Sequence, residues 1–256
     1  MLFLGTGTSV GIPMIGCHCA VCTSEDPRDK RDRCSVFMRS PELAWVIDTG
    51  PEFRHQCLRA GISHLDAVLY THEHTDHVMG FDDLRRFTYG EQASLPVHGN
   101  ASVLSALRRA FAFAFDGTNR PAGYFKPAPR EVKGAFHLGK TEVTPLPVVH
   151  GGAETNGYLF SRGGNKLVGY IPDVKQIPQE TLRRLHGVDT FIVDCLRERP
   201  LPTHFSVEEA LAAVDAVAPQ RAFFTHLCHE LGHASFEVTL PSHIRVAYDG
   251  LRLQWP

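Results

Sequence analysis

The stretch AVLYTHEHTDH, residues 67–77, runs an apolar tetrapeptide directly into three histidines and two acids within seven positions. An apolar run that stops at polar residues reads as a buried strand. His72 and His74 stand two apart, so in an extended loop both side chains leave on the same side. Asp76 and His77 follow where a helix begins, which turns them towards the same region. Imidazole combined with carboxylate suits zinc, manganese or iron rather than calcium. A cluster scattered on a solvated loop has no need of this spacing, so the stretch predicts a metal centre at the end of a strand.

Four side chains from one loop do not complete two metal sites, so partners are expected at other strand ends. His150 closes PLPVVH, Asp173 closes LVGYIPD and His226 closes AFFTH, each a ligand type behind an apolar run. Further strands are predicted in MLFLG, LAWVID, LPVHGN, TEVTPLPVVH, GYLFSRGGNKLVGYIPD, DTFIVDC and HIRVAYDG. Helices are predicted from Asp76 through HVMGFDDLRRF, in SVLSALRRAF and in SVEEALAAVDAV. Two strand-rich halves with helices between them imply sheets packed face to face with helices outside. No Gly/Ser linker divides the halves, so residues 1–256 read as a single domain. EDPRDKRDR (25–33) reads as a solvated loop, and FAFAFDGTNRPAGYFKPAP (111–129) as cover for a pocket or subunit interface or as core packing.

The bulk numbers agree with an ordinary globular protein. Of 256 residues, 43% are hydrophobic and 21% charged, as in ordinary globular domains. A net charge of −2 speaks against a nucleic-acid-binding surface, which carries a basic excess. No apolar run reaches the roughly 18 residues that span a membrane, and MLFLGTGTSV lacks the charged start of a signal peptide. Seven cysteines without an export signal imply reduced thiols and a cytoplasmic address. GTGTSVG, spaced GxGxxxG and followed by Pro13, fails the dinucleotide fingerprint and reads as a turn.

The order His72, His74, Asp76, His77, His150, Asp173, His226 resembles the metallo-β-lactamase-fold hydrolases across nearly the whole chain. That resemblance implies an α/β (α+β) architecture, an αββα sandwich of two mixed β-sheets flanked by helices, with the site at one edge. It implies two divalent ions, Mn or Zn. His72, His74 and His150 would hold one, Asp76, His77 and His226 the other, and Asp173 would bridge them. Asp48 in WVIDTG matches a position that supports a ligand from behind. Diiron redox members resemble HxExD at this loop, whereas position 74 is His here, so hydrolysis is favoured. Two ions a few ångströms apart can activate one hydroxide and neutralise an oxyanion forming opposite.

GCHCAVC places Cys17, Cys19 and Cys22 as C-x-C-x2-C, a structural zinc pattern that lacks a fourth ligand. Cys34, His229, Cys228, His233 and His18 are candidates. Together, SVGIPMIGCHCAVC and THLCHELGH resemble the PhnP-like branch of cyclic phosphodiesterases. By that resemblance His229 is the fourth ligand, with Cys228 its rival, and the zinc-binding loop covers about residues 16–34. The same motif resembles PqqB, so it marks a branch and not a substrate. Cys34, Cys57 and Cys195 have no metal spacing and read as buried apolar side chains.

His204 in PTHFSVEEAL resembles the extra, non-ligand histidine of phosphodiesterase members, tRNase Z included. Expulsion of an alkoxide benefits from a proton donor, which makes His204 the candidate general acid; Asp76, in the metal loop, is the other candidate catalytic residue. Arg85 or Arg86 could reach a substrate phosphate or pair with Asp82 or Asp83. The reading is a dinuclear hydrolase of small phosphodiesters, cyclic ones included, with a homodimer suggested by the resemblance. The alternatives are a tRNase Z-like nuclease, a hydrolase of thioesters, lactones or β-lactams, and a PqqB-like cofactor-biosynthesis or binding protein.

Overall fold

The computed structural model describes residues 1–89, 94–117 and 124–255. Thirteen strands among them form two mixed sheets. The first runs β1 (Leu2–Gly5), β2 (Ser35–Arg39), β3 (Ala44–Ile47), β4 (Ala67–Leu69), β5 (Leu95–Gly99) and β6 (Pro127–Glu131), in that spatial order. The second comprises β7 (Phe136–Leu138), β8 (Thr141–His150), β9 (Ala153–Arg162), β10 (Asn165–Ile171), β11 (Thr190–Asp194), β12 (Arg221–Thr225) and β13 (Ile244–Val246), again in order. Each sheet is part antiparallel and part parallel: β3 to β6 are parallel, as are β10 to β13. Parallel neighbours need crossovers; the helices Phe53–Ala60, Ala101–Ala110, Gln179–Leu185, Val207–Val217 and His233–Glu237 supply five, and the short segments Thr75–Val78 and Phe81–Thr88 supply the one from β4 to β5.

Alternation along single strands explains the layering. In β3, Trp45 and Ile47 pack into the core between the sheets, while Val46 packs under the helices. In β12, Phe223 enters the central core and Ala222 and Phe224 face the opposite helical layer. Strands covered on both faces appear in sequence as unbroken apolar runs. The αββα sandwich is therefore observed, with both sheets mixed and helices outside.

Several sequence expectations need correction. GYLFSRGGNKLVGYIPD is two strands, because Gly163 and Gly164 (φ 58° and 82°) make a two-residue hairpin turn pairing Arg162 with Asn165. The helix after the metal loop is not continuous. A helical turn at Thr75–Val78 gives way to a 3-10 segment, Phe81–Thr88. At the break Gly80 presses on Gly50; a Cβ on Gly80 would stand 2.2 Å from the Gly50 carbonyl oxygen. The charge run 25–33 is not simply solvated, since Asp29 and Arg31 are buried. Phe111, Phe115 and Phe125 surround Phe81 with ring centroids 4.8–5.7 Å away, which favours core packing for that aromatic tract. Its residues 118–123 lie outside the described residues.

Candidate metal centre

Strand ends of both sheets meet at the site. From the first sheet, β4 ends at Leu69 and the loop carries His72, His74, Asp76 and His77. From the second come His150 at the end of β8, Asp173 just past β10 and His226 just past β12. Asp48, just past β3, takes a left-handed backbone (φ 62°), an uncommon conformation for a residue with a Cβ. Its carboxylate accepts from Thr71 N–H, Thr71 Oγ1 and His77 Nδ1, each at 2.8 Å.

These bonds set the tautomers. With Nδ1–H given to Asp48, His77 presents Nε2 as a bare acceptor. Thr71 Oγ1 donates to Asp48 and so accepts from His72 Nδ1 at 3.0 Å, which turns His72 Nε2 inward as well. His150 Nδ1 donates to the Thr203 carbonyl at 2.7 Å, leaving its Nε2 3.2 Å from His74 Nδ1. Around Asp173, Oδ2 lies 3.6 Å from His72 Nε2, 3.4 Å from His77 Nε2 and 3.7 Å from His150 Nε2, and Oδ1 lies 3.5 Å from His226 Nε2. Asp76 Oδ2 lies 3.3 Å from His77 Nε2 and 3.8 Å from His226 Nε2.

Two overlapping four-residue groups result, His72, His74, His150, Asp173 and Asp76, His77, Asp173, His226, and a smaller one, Asp194, His204, His226, adjoins them, each with ligand atoms within 4.8 Å of one another. The Nε2 atoms of His72, His77 and His226 and Oδ1 of Asp173 are buried without a hydrogen-bond partner. Orphaned polar atoms are costly inside a protein, and lone pairs converging from several sides are what a cation satisfies. The residues fit two divalent ions. Burial works against charge on His77, but Asp173, Asp48 and Asp76 outweigh it and raise its pKa well above the ordinary value; they draw positive charge to this point, and a cation on Nε2 would supply it in place of the proton. At His72 burial, reinforced by the neighbouring His77, His74 and His150, outweighs Asp173, and its pKa falls well below the ordinary value.

His204 lies beside both groups, its ring 4.8 Å from His226 in a stacked arrangement and 4.6 Å from His150. Its Nδ1 donates to Asp194 Oδ2 at 2.8 Å. Asp194 is fully buried, closes β11, and also accepts from the N–H groups of Val174 (3.1 Å) and Phe205 (3.4 Å). Sequence reasoning missed Asp194 although it carries the same mark as Asp173 and His226, a polar residue ending an apolar strand. The Thr203 carbonyl that fixes His150 left no such mark. Neither Arg85 nor Arg86 belongs to either group: Arg85 pairs with Asp82, and Arg86 lies over Tyr89 at 5.6 Å.

The second cluster is also assembled. Sγ of Cys17, Cys19 and Cys22 lie 3.2, 3.4 and 3.8 Å from His229 Nδ1. The Cys22 N–H donates to Cys19 Sγ and pulls that thiol's pKa down to about 6, while burial pushes Cys22 up to about 11. Of the other candidates, Cys228 Sγ accepts from Glu230 N–H at 3.4 Å and His233 Nε2 lies 3.4 Å from Glu237. Cys34, Cys57 and Cys195 are buried free thiols, as their lack of spacing implied. Arg31 ties this loop to the strand end bearing His226. Its guanidinium pairs with Asp29 at 3.0 Å and donates to the carbonyls of Cys228 (3.1 Å) and Leu231 (2.7 Å), while Asp29 accepts from His233 N–H.

Residues 45–227 match the family described as the beta-lactamase superfamily domain. The chain belongs to the beta-lactamase superfamily. A crystal structure of a diphosphatase from the PhnP family superposes with a TM-score of 0.91 at 36% identity, covering 98% of this chain and 95% of that one. In sequence, an octanoyltransferase of Porphyromonas gingivalis is 35% identical over 254 residues, which are 98% of this chain and 50% of that protein. This chain thus spans half the length of that relative. The coenzyme PQQ synthesis protein B of Methylobacterium radiotolerans is 28% identical over 224 residues, 76% of this chain and 72% of that protein. The assignment to the superfamily's hydrolases, and to their PhnP-like branch, agrees with the sequence reading.

Proposed function

We propose that the chain hydrolyses small phosphodiesters or related phosphoric anhydrides at a dinuclear metal centre. The observation that carries this reading is the position of His204, held by a buried carboxylate at the edge of two ligand groups that share Asp173. A pair of Mn or Zn ions, held by His72, His74, His150, Asp173, Asp76, His77 and His226, would supply Lewis acidity and an activated water. The rest of the chemistry belongs to the chain. Asp76 offers a carboxylate to orient the attacking water; although burial would raise its pKa, His77 and His226 hold it deprotonated. Asp194 fixes His204 by Nδ1, which leaves Nε2 to protonate the leaving oxygen. His204 is thus the proposed general acid. Cys17, Cys19, Cys22 and His229 form a proposed structural zinc site, with Arg31 bracing the same loop.

The similarity to a PhnP-family diphosphatase supports phosphoryl chemistry. The charge balance of −2 does not favour a nucleic-acid substrate. No helix among the described residues is long and apolar enough to cross a membrane. A second reading, hydrolysis of acyl thioesters, draws support from the octanoyltransferase relative, of which this chain spans half. A panel of test phosphodiesters, diphosphate esters, octanoyl thioesters, lactones and a tRNA precursor decides between them. Turnover led by phosphodiesters or diphosphate esters is the expected result. Turnover led by the thioester would overturn the proposal.

A further inference from the structure

Arg197 stands three residues past Asp194, where the chain leaves β11. The segment that carries His204 closes directly onto it. Leu196 N–H donates to the Phe205 carbonyl, and Val207 N–H donates to the Arg197 carbonyl, both at 3.0 Å. On the other side Cys228 N–H donates to the Leu196 carbonyl at 2.9 Å. Arg197 is therefore placed between the segment bearing His204 and the one that follows His226. Its positive charge is felt at both His204 and Cys228.

The guanidinium has little to hold. Its Nε is enclosed without a hydrogen-bond partner, and Nη1 lies 3.9 Å from Glu230 Oε1, outside hydrogen-bond reach. By contrast Arg28, Arg31, Arg162 and Arg245 each meet a carboxylate at 3.0 Å or less. The Arg197 side chain is 37% exposed, so its outer face remains open to a ligand. A planar fork of N–H donors matches a phosphate or carboxylate. Such an anion would meet the exposed Nη groups of the fork, which the protein leaves without a close carboxylate.

We propose that Arg197 forms an anion subsite beside the metal centre and selects substrates bearing a second negative group next to the phosphoryl under attack, with Glu230 as its competing internal partner. This deepens the phosphodiesterase reading and rests on it for the placement of the reacting phosphoryl. Calorimetric titration of metal-loaded protein with 3-phosphonopropionate and with propylphosphonate tests it, since the two share a head group and differ by the carboxylate tail. Wild type should bind the tailed ligand roughly 10–100-fold more tightly, the range of a charge-assisted hydrogen bond. Arg197→Gln should bring the ratio of the two Kd values to about one, and Glu230→Gln should widen it several-fold. A wild-type ratio near one overturns the subsite, as does an equal loss for both ligands in Arg197→Gln. Should Arg197→Gln fail to fold, an unchanged ratio in Glu230→Gln overturns it instead. The two proposals fail separately: a preserved ratio without phosphodiester turnover supports the subsite and sinks only the phosphodiesterase reading, and turnover with a flat ratio does the reverse.

Discussion

His204 is expected to act according to the basicity of the leaving group. An alkoxide needs a proton as the P–O bond breaks, whereas a nitrophenolate is stable as an anion. His204→Ala should slow alkyl phosphodiesters by roughly 10²–10⁴-fold and bis(nitrophenyl) phosphate much less, with bound metal unchanged. Equal losses on both would make His204 a binding residue, and lost metal would make it a ligand. Asp194→Asn should show the same leaving-group bias in weaker form, because His204 loses the acceptor at 2.8 Å that fixes its tautomer. Away from the centre, the Asp249 side chain is only 6% exposed and accepts from Thr6 Oγ1 and Asp32 N–H at 2.8 Å each and from Arg59 Nη2 at 3.3 Å. Burial pushes its pKa up to about 7. A carboxyl whose folded pKa lies above its unfolded value contributes most below about pH 4, and that contribution is lost as pH rises through about 7. Asp249→Asn should accordingly leave stability near pH 4 little changed and raise it at pH 8 by about 1–3 kcal/mol. Urea midpoints at the two pH values would show it, and an equal loss at both would contradict the burial argument.

Among the elements, the loop bearing Cys17, Cys19 and Cys22 behaves as a clamp on the strand end that carries His226. Cys17→Ser and His229→Ala should each remove one tightly held zinc and lower the melting temperature, since metal binding is linked to folding. Full zinc retention in both variants would reduce the triad to buried thiols, and zinc loss in Cys228→Ala alone would name a different ligand. Arg31→Met should destabilise by about 3–5 kcal/mol, the cost of leaving Asp29 as an unpaired buried charge. The clamp was half legible. Cysteine spacing announced the metal, but Arg31 sits in a run of charges that local pattern reads as solvated, and its acceptors lie some 200 residues away. The strands tell the same story. Runs buried on both faces, such as LAWVI and DTFIVD, were plain from composition. SVFMR, PAPRE and FHL, short or interrupted by proline and charge, were not read as strands, and neither was FRHQCLRA as a helix. At the centre every ligand type stood at a strand end, which made the groups readable. The break at Gly80 was not, because it follows from contact with Gly50, which no local period records.

For the molecule as a whole, elemental analysis of protein purified with added metal should approach about three ions per chain, two labile and one resistant to mild chelation. At most one ion with full activity would exclude the dinuclear reading. The ligands have a geometry that reaches past catalysis. His72, His74, Asp76 and His77 belong to the first sheet, and His150, Asp173 and His226 to the second, so an ion shared among them is bound by both sheets at once. The unfolded chain cannot reassemble that set and keeps only the local THEHTDH run, so the free ion binds the folded state far more tightly. By mass action each tenfold rise in free ion above its dissociation constant adds about 1.4 kcal/mol per site. The melting temperature thus becomes a readout of the surrounding ion concentration, and chelation a route to proteolysis that opens the sandwich at the edge where its two sheets converge.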